Sequence, residues 1–276
     1  MQNEYFTLTN GVKIPKIGFG TWQITNEDAV GAVGMALETG YVHIDSASGY
    51  RNEEGVGIAV RNSGIAREKL FITTKVPAQI KSYDEAVQNI NESLEKLDLG
   101  YIDLLLIHAP QPWDKPWQTG HRYYEENVAV WKAIEEAYKA GKVKSIGISN
   151  FFVEDMQNIL DHCEIKPMVN QILYHIGKTQ KEAVDFCNKH DILVEGYSPI
   201  GTGALLTNEE IKNIGTKYNK SVAQICIKYL LQKDILPLPK ASAKERIEEN
   251  FAMDFVISDE DMTYLDELQT VNPLAR

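Results

Sequence analysis

The chain has 276 residues, of which 28 are basic and 39 acidic, for a formal net charge of −11. That balance offers no general attractive field for nucleic acid, and no apolar run approaches the roughly 20 residues that cross a bilayer. Three scattered cysteines without metal-ligand spacing, Cys163, Cys187 and Cys226, and a polar start without a signal peptide's apolar core fit a cytoplasmic protein and no disulfide framework.

In chain order, the first predicted element is a hairpin in "FTLTNGVKIPKIG", where alternating apolar residues flank Asn10-Gly11, the favoured pair for a two-residue primed turn. Eight short apolar runs are the candidate strands: "KIGFG", "YVHID", "LFITTKV", "DLLLIHA", "KSIGISN", "MVNQILY", "ILVEGYS" and "ILPLP". Most are apolar on both faces, as strands of a buried parallel sheet are. Between them lie helical stretches announced by caps. Ser82 with Glu85 has capping-box spacing ahead of Ala86, Ile90, Leu94 and Leu97 on one face, and Thr179 with Glu182 and Thr207 with Glu210 repeat the device. Gly40 and Gly141 stand where helix ends need a left-handed residue. Additional helices are expected at "VAQICIKYLLQ", between the seventh and eighth strands, and at "SDEDMTYLDEL".

No linker divides the chain, so residues 1–276 are expected to form one α/β domain, a (β/α)8 barrel with an N-terminal hairpin and extra helices near its C-terminus. A doubly wound sheet would carry G-x-G-x-x-G after its first strand, and "GFGTWQ" has the first two glycines but Gln23 in place of the third.

Chemistry in a barrel sits at the C-terminal strand ends. Asp45 ends the second predicted strand, Lys75 the third and His108 the fourth, with Tyr50 just past Asp45. Taken singly, they read as a helix cap, a surface lysine, a core histidine and a packing tyrosine. Taken together, they converge on one mouth. A buried lysine keeps its charge beside a carboxylate. Lys75, held by Asp45, would then ease proton release from Tyr50, whose free pKa is about 10. His108 could give a second hydrogen bond to a carbonyl oxygen.

The runs "HIDSASGYRNEEGVG", "TTKV", "DLLLIH", "GKVKSIGISNF", "VNQ", "GYSPIGTG" and "PKASAKERIEEN" resemble successive motifs of the aldo-keto reductases, from the hairpin to about residue 255. The end of the chain after residue 268 resembles the compact bacterial branch of diketogluconate, glyoxal and aldehyde reductases. The resemblance implies NADPH-dependent reduction of aldehydes and ketones, with Asp45, Tyr50, Lys75 and His108 as catalytic residues and Tyr50 as general acid. It implies that Gly20 and Thr21 lie near the nicotinamide, that Ser149, Asn150 and Gln171 clamp its carboxamide, and that Tyr197 stacks on its ring. Ser198, Ile200, Gly201 and Gly203 would follow the pyrophosphate. Lys240, Ser242 and Arg246 would hold the 2′-phosphate that separates NADPH from NADH, with Glu249 and Asn250 at the adenine. Ser242 and Glu245 also have capping-box spacing, so Ser242 has a purely structural reading too.

Trp22, Tyr50, His108, Ala109 and Trp113 are the implied substrate contacts. Several positions depart from the family pattern. Ser46 stands where threonine is commoner, and Ala109 stands where many relatives carry tryptophan, leaving space for Trp113, Trp117 or a larger substrate. Ala241 replaces a serine at the 2′-phosphate, and Leu173 and Ile176 replace a glutamate and a proline. Two other functions compete: a cofactor-binding regulatory subunit with little turnover, and a barrel aldolase using Lys75 as a Schiff base. A monomer is the default expectation.

Overall fold

A computed structural model describes residues 4–115 and 120–269. The first two strands, β1 (Tyr5–Thr7) and β2 (Lys13–Pro15), pair antiparallel with Tyr5 opposite Pro15. Their turn is not the two-residue primed type expected. Leu8 N donates to Val12 O and Gly11 N to Leu8 O, which leaves Thr9, Asn10 and Gly11 as a three-residue loop. Only Gly11 has positive φ, at 85°, whereas the primed turn needs it at both central residues. The Asn10 side chain instead accepts from Val12 N and donates to Lys144 O, pinning the hairpin to the barrel.

Eight parallel strands follow: β3 (Phe19–Gly20), β4 (His43–Asp45), β5 (Phe71–Val76), β6 (Ile102–Ile107), β7 (Val143–Ser149), β8 (Val169–Leu173), β9 (Leu193–Tyr197) and β10 (Leu236–Leu238). Each pairs with the next in chain order. Gly18 N to Pro237 O at 3.1 Å and Gly20 N to Pro239 O at 2.9 Å join the first barrel strand to the last. The helices between are α1 (Asn26–Thr39), α2 (Glu53–Asn62), α3 (Tyr83–Leu97), α4 (Tyr124–Lys139), α5 (Val153–His162) and α6 (Lys181–Lys189). Two more, α7 (Glu209–Tyr218) and α8 (Val222–Gln232), separate β9 from β10, and α9 (Lys244–Phe251) and α10 (Asp259–Glu267) follow it. This is the (β/α)8 barrel with a hairpin and extra C-terminal helices.

Ser82 caps α3 as its spacing predicts, and Gly40 ends α1 with φ 113°. The other two predicted capping boxes are displaced. Asn208, not Thr207, caps α7 by accepting from Ile211 N. Gln180, not Thr179, precedes α6, in a left-handed conformation without a side-chain cap.

Strands β5 and β6 are buried along their whole length, as the sequence runs predict. The strand period of two puts His43 with Asp45, Thr73 with Lys75, and Glu195 with Tyr197 on shared faces. These polar residues share the interior with Leu104 and Leu106, paired beside Thr73 and Lys75 and both fully buried. Among the described residues no helix is long and apolar enough to cross a membrane, and all three cysteines are free.

Candidate active site

The strand termini bring four polar residues to one end of the barrel. Asp45 is the last residue of β4, and Lys75 stands near the end of β5. Tyr50 lies in the short helical turn Ser48–Tyr50, and His108 directly follows β6. Lys75 is fully buried. Its ammonium donates to both Asp45 oxygens, at 2.9 and 2.8 Å, and to Ser46 O at 2.7 Å, with the Tyr50 hydroxyl at 3.4 Å. Burial works against the Lys75 charge, but Asp45 bound to the ammonium keeps its pKa above the ordinary value. The ammonium also lies 4.9 Å from the Tyr50 ring centre.

Burial raises the Tyr50 phenol above its usual pKa, with Lys75 pulling the other way and Asp45 adding to the rise. Lys75 thus favours the ionised phenol as expected, while burial of Tyr50 outweighs it. The His108 ring meets Tyr50 edge-on at 5.5 Å between centres and Trp113 at 5.6 Å. Burial, then Lys75, hold its pKa at about 3, so the imidazole is neutral.

The next strand ends add a network of amides and hydroxyls. Asn150 takes a left-handed φ of 61°, and its Nδ2 donates to His108 O and Ser149 Oγ, both at 3.0 Å. Tyr197 donates its hydroxyl to Asn150 Oδ1 at 2.8 Å, which fixes the tyrosine ring at the mouth. Ser149 Oγ and Asn150 N both donate to Gln171 O at 2.9 Å. Gln171 Nε2 donates inward to Asp45 Oδ1 at 2.9 Å and Glu195 Oε2 at 2.8 Å. A buried lysine-carboxylate pair under a phenol and an imidazole can deliver a proton to an oxygen at the mouth.

Residues 16–270 match the Aldo/keto reductase family. The chain belongs to the aldo/keto reductase family. It is 43% identical to glyoxal reductase of Bacillus subtilis (strain 168), over 95% of this chain and 91% of that one. It is 37% identical to methylglyoxal reductase DkgA of Escherichia coli (strain K12), over 88% and 85%. Among solved structures, an aldo/keto reductase from Brucella melitensis superposes with a TM-score of 0.90 at 38% identity, covering 96% of this chain and 98% of its own. A Bombyx mori aldo-keto reductase in complex with NADP superposes at 0.87 and 33% identity, covering 96% and 92%.

The other aldo-keto reductase positions are less uniformly placed. Thr21 is fully buried and its hydroxyl donates to Asp45 O at 2.9 Å, so it braces the Asp45 backbone and is closed to the mouth. Gly20 closes the barrel through Pro239. Ser198 (φ 50°), Gly201 (58°) and Gly203 (94°) all have left-handed backbones, and with Ile200 they form the turn after β9. Lys240, Ser242 and Arg246 are exposed, Glu249 is half-buried, and Asn250 is buried. Ala243 precedes α9 without a side-chain cap, so Ser242 does not cap that helix. Among the described residues neither Lys240 nor Arg246 has an acidic partner within 4.0 Å.

Trp22 is 43% exposed, and Trp113 is half-buried against His108. Ala109 departs from expectation. It is fully buried and its carbonyl accepts from Lys81 Nζ at 3.2 Å, so its methyl is not a wall of the open mouth. Trp117 lies outside the described residues. Three residues the sequence reading missed join the site: Ser46, whose carbonyl accepts from Lys75, and Glu195 and His43 beneath it. The signal for the last two was present, as ionisable letters inside the apolar runs "ILVEGYS" and "YVHID".

Proposed function

We propose that this protein reduces small aldehydes, ketones or dicarbonyls to alcohols with NADPH, Tyr50 giving its proton to the carbonyl oxygen. The observation that carries the reading is the fully buried Lys75 ammonium, bound to both Asp45 oxygens and 3.4 Å from the Tyr50 hydroxyl. When bound, NADPH supplies a hydride to the carbonyl carbon. Tyr50 enters reduction protonated, since burial keeps its pKa high. As the O–H bond breaks, the phenolate left behind is stabilised by Lys75. His108, neutral and edge-on to Tyr50, can donate a second hydrogen bond that orients the carbonyl. Glyoxal and methylglyoxal reductases among the relatives make two-carbon and three-carbon dicarbonyls the first substrates to try.

The polar groups fit a nicotinamide dinucleotide. With Nε2 committed to two carboxyl groups, Gln171 offers only its carbonyl oxygen, an acceptor for a carboxamide N–H. Ser149 and Asn150 hold the neighbouring edge, and Tyr197 offers an aromatic face. At the far end Lys240 and Arg246 flank the uncapped start of α9, where backbone N–H groups and two cations suit a phosphate. The same wiring disfavours the aldolase reading, because three oxygen acceptors keep the Lys75 amine protonated and non-nucleophilic.

The test is loss of NADPH absorbance with methylglyoxal, glyoxal, a benzaldehyde and a keto-sugar, each repeated with NADH. Turnover with NADPH is expected. Tight NADPH binding without turnover across the series would favour the regulatory-subunit reading. Lys240→Ala with Arg246→Ala is expected to raise KM for NADPH by about tenfold or more while changing that for NADH little. Equal losses for the two cofactors would remove the 2′-phosphate assignment.

A further inference from the structure

Beneath the mouth, the barrel holds a second carboxyl group with no cation of its own. Glu195 is fully buried. Its Oε2 accepts from Gln171 Nε2 at 2.8 Å. Its Oε1 has no hydrogen-bond partner and lies 4.0 Å from His43 Nε2. The same Gln171 nitrogen donates to Asp45 Oδ1 at 2.9 Å, so a single amide bridges the two carboxyl groups. His43 is anchored by Thr73 Oγ1 at 3.0 Å. Its ring is accommodated because position 18 is glycine: a Cβ there would lie 2.7 Å from His43 Nδ1.

We propose that Glu195 is a positioning residue for the reduction: as a neutral carboxylic acid it holds the N–H side of the Gln171 amide against Asp45. This keeps Asp45 aligned under Lys75 and leaves the Gln171 carbonyl free for a bound carboxamide. The inference rests on the roles given above to Gln171 and Tyr50.

Charge counting supports the neutral form. One ammonium faces two carboxyl groups, and it is bidentate on Asp45. A second carboxylate in that interior would be an uncompensated buried charge. The groups facing Glu195 are His43 and Asp45 from β4, Lys75 from β5 and Gln171 from β8. On its other side, β10 brings Leu236, its register partner. Burial first, and then Asp45, push Glu195 up to about 8, with Gln171 and Lys75 opposing. His43 supplies no countercharge, because burial and Lys75 hold it at about 3.

Two consequences have definite signs. Above pH 8 an ionised Glu195 adds negative charge near Lys75 and Tyr50, making the phenolate harder to form and moving the alkaline limb of reduction upward. Its folded pKa also exceeds the ordinary 4.5. The folded state therefore holds a proton that the unfolded chain releases, and stability is lost as pH rises from about 4.5 to about 8.

The experiment compares wild type, Glu195→Gln and Glu195→Leu by urea unfolding from pH 5 to 8, NADPH binding by fluorescence, and kcat against pH. Glu195→Gln keeps an acceptor for Gln171 but cannot ionise. Its unfolding constant should therefore fall relative to wild type by roughly tenfold per pH unit across that window. A pH-independent difference would overturn the neutral acid. Glu195→Leu should weaken NADPH binding and lower kcat by roughly tenfold at pH 7 through a misplaced amide. Glu195→Gln should restore most of both while showing a lower alkaline limb. NADPH affinity and kcat unchanged in Glu195→Leu would overturn the positioning role. A wild-type enzyme inactive on every carbonyl would remove the reductase reading, and the unfolding series would still decide the protonation state.

Discussion

Lys75 shows how much one side chain constrains here. Its charge survives complete burial because Asp45, Ser46 and Tyr50 surround the ammonium, and Asp45 in turn depends on that charge. Lys75→Met leaves Asp45 as a buried carboxylate with, among the described residues, only Gln171 donating to its side chain, and is expected to destabilise the fold by about 3–5 kcal/mol. Lys75→Met with Asp45→Asn should recover a large part of that loss, since breaking one partner of a buried pair costs more than removing both. Urea unfolding of the two variants measures the difference, and a double variant as unstable as the single one would contradict it. At this scale the sequence was legible where an ionisable residue ends an apolar run, as Asp45 and Lys75 do. Glu195 and His43 sit one layer deeper, where strand-end reasoning does not look. The burial of Tyr50 was not legible either, because a loop sequence does not reveal how deeply its phenol will lie.

At the level of elements, α2 illustrates a constraint that helix propensity hides. The run "NEEGVGIAV" carries two glycines inside a helix, where each weakens it by about 1 kcal/mol relative to alanine. The structure gives the reason. A Cβ on Gly57 would run into the Leu97 carbonyl at the end of α3, and one on Gly55 into the Asn26 carbonyl at the start of α1. Gly57→Ala is therefore expected to destabilise the protein by about 1–3 kcal/mol, the usual range for overpacking, despite the better helix former. A raised melting temperature for that variant would show that the contact can relax. The eight strand runs were all legible, because parallel strands buried on both faces leave an apolar signature. Caps were less so. Ser/Thr-x-x-Glu spacing recurs by chance near helix starts, and at α7 the adjacent Asn208 takes the position. The hairpin turn failed similarly, since Asn-Gly alone does not reveal that only the glycine turns left-handed.

On the scale of the whole molecule, the barrel collects residues far apart in sequence at one mouth. The protein carries a net charge of −11, yet Lys240 and Arg246 lie exposed at the start of α9, where a phosphate would meet cations. The relatives align over nearly the whole chain, so the family's overall geometry extends from the hairpin to the last helices. Convergence of this kind could be inferred from strand order alone. Which loop residues wall the substrate space could not, as the buried Ala109 shows: side-chain orientation after a strand is set by the packing of the loop that follows.

One comparison tests proton delivery by Tyr50 most directly: the kcat of wild type against Tyr50→Phe with NADPH and methylglyoxal, alongside NADPH affinity by fluorescence. The variant should lose roughly 10²- to 10⁴-fold in kcat while binding NADPH as wild type does, because the hydroxyl is assigned to the carbonyl and not to the cofactor. Wild-type kcat in Tyr50→Phe would contradict the assignment and place the proton donor elsewhere at the mouth.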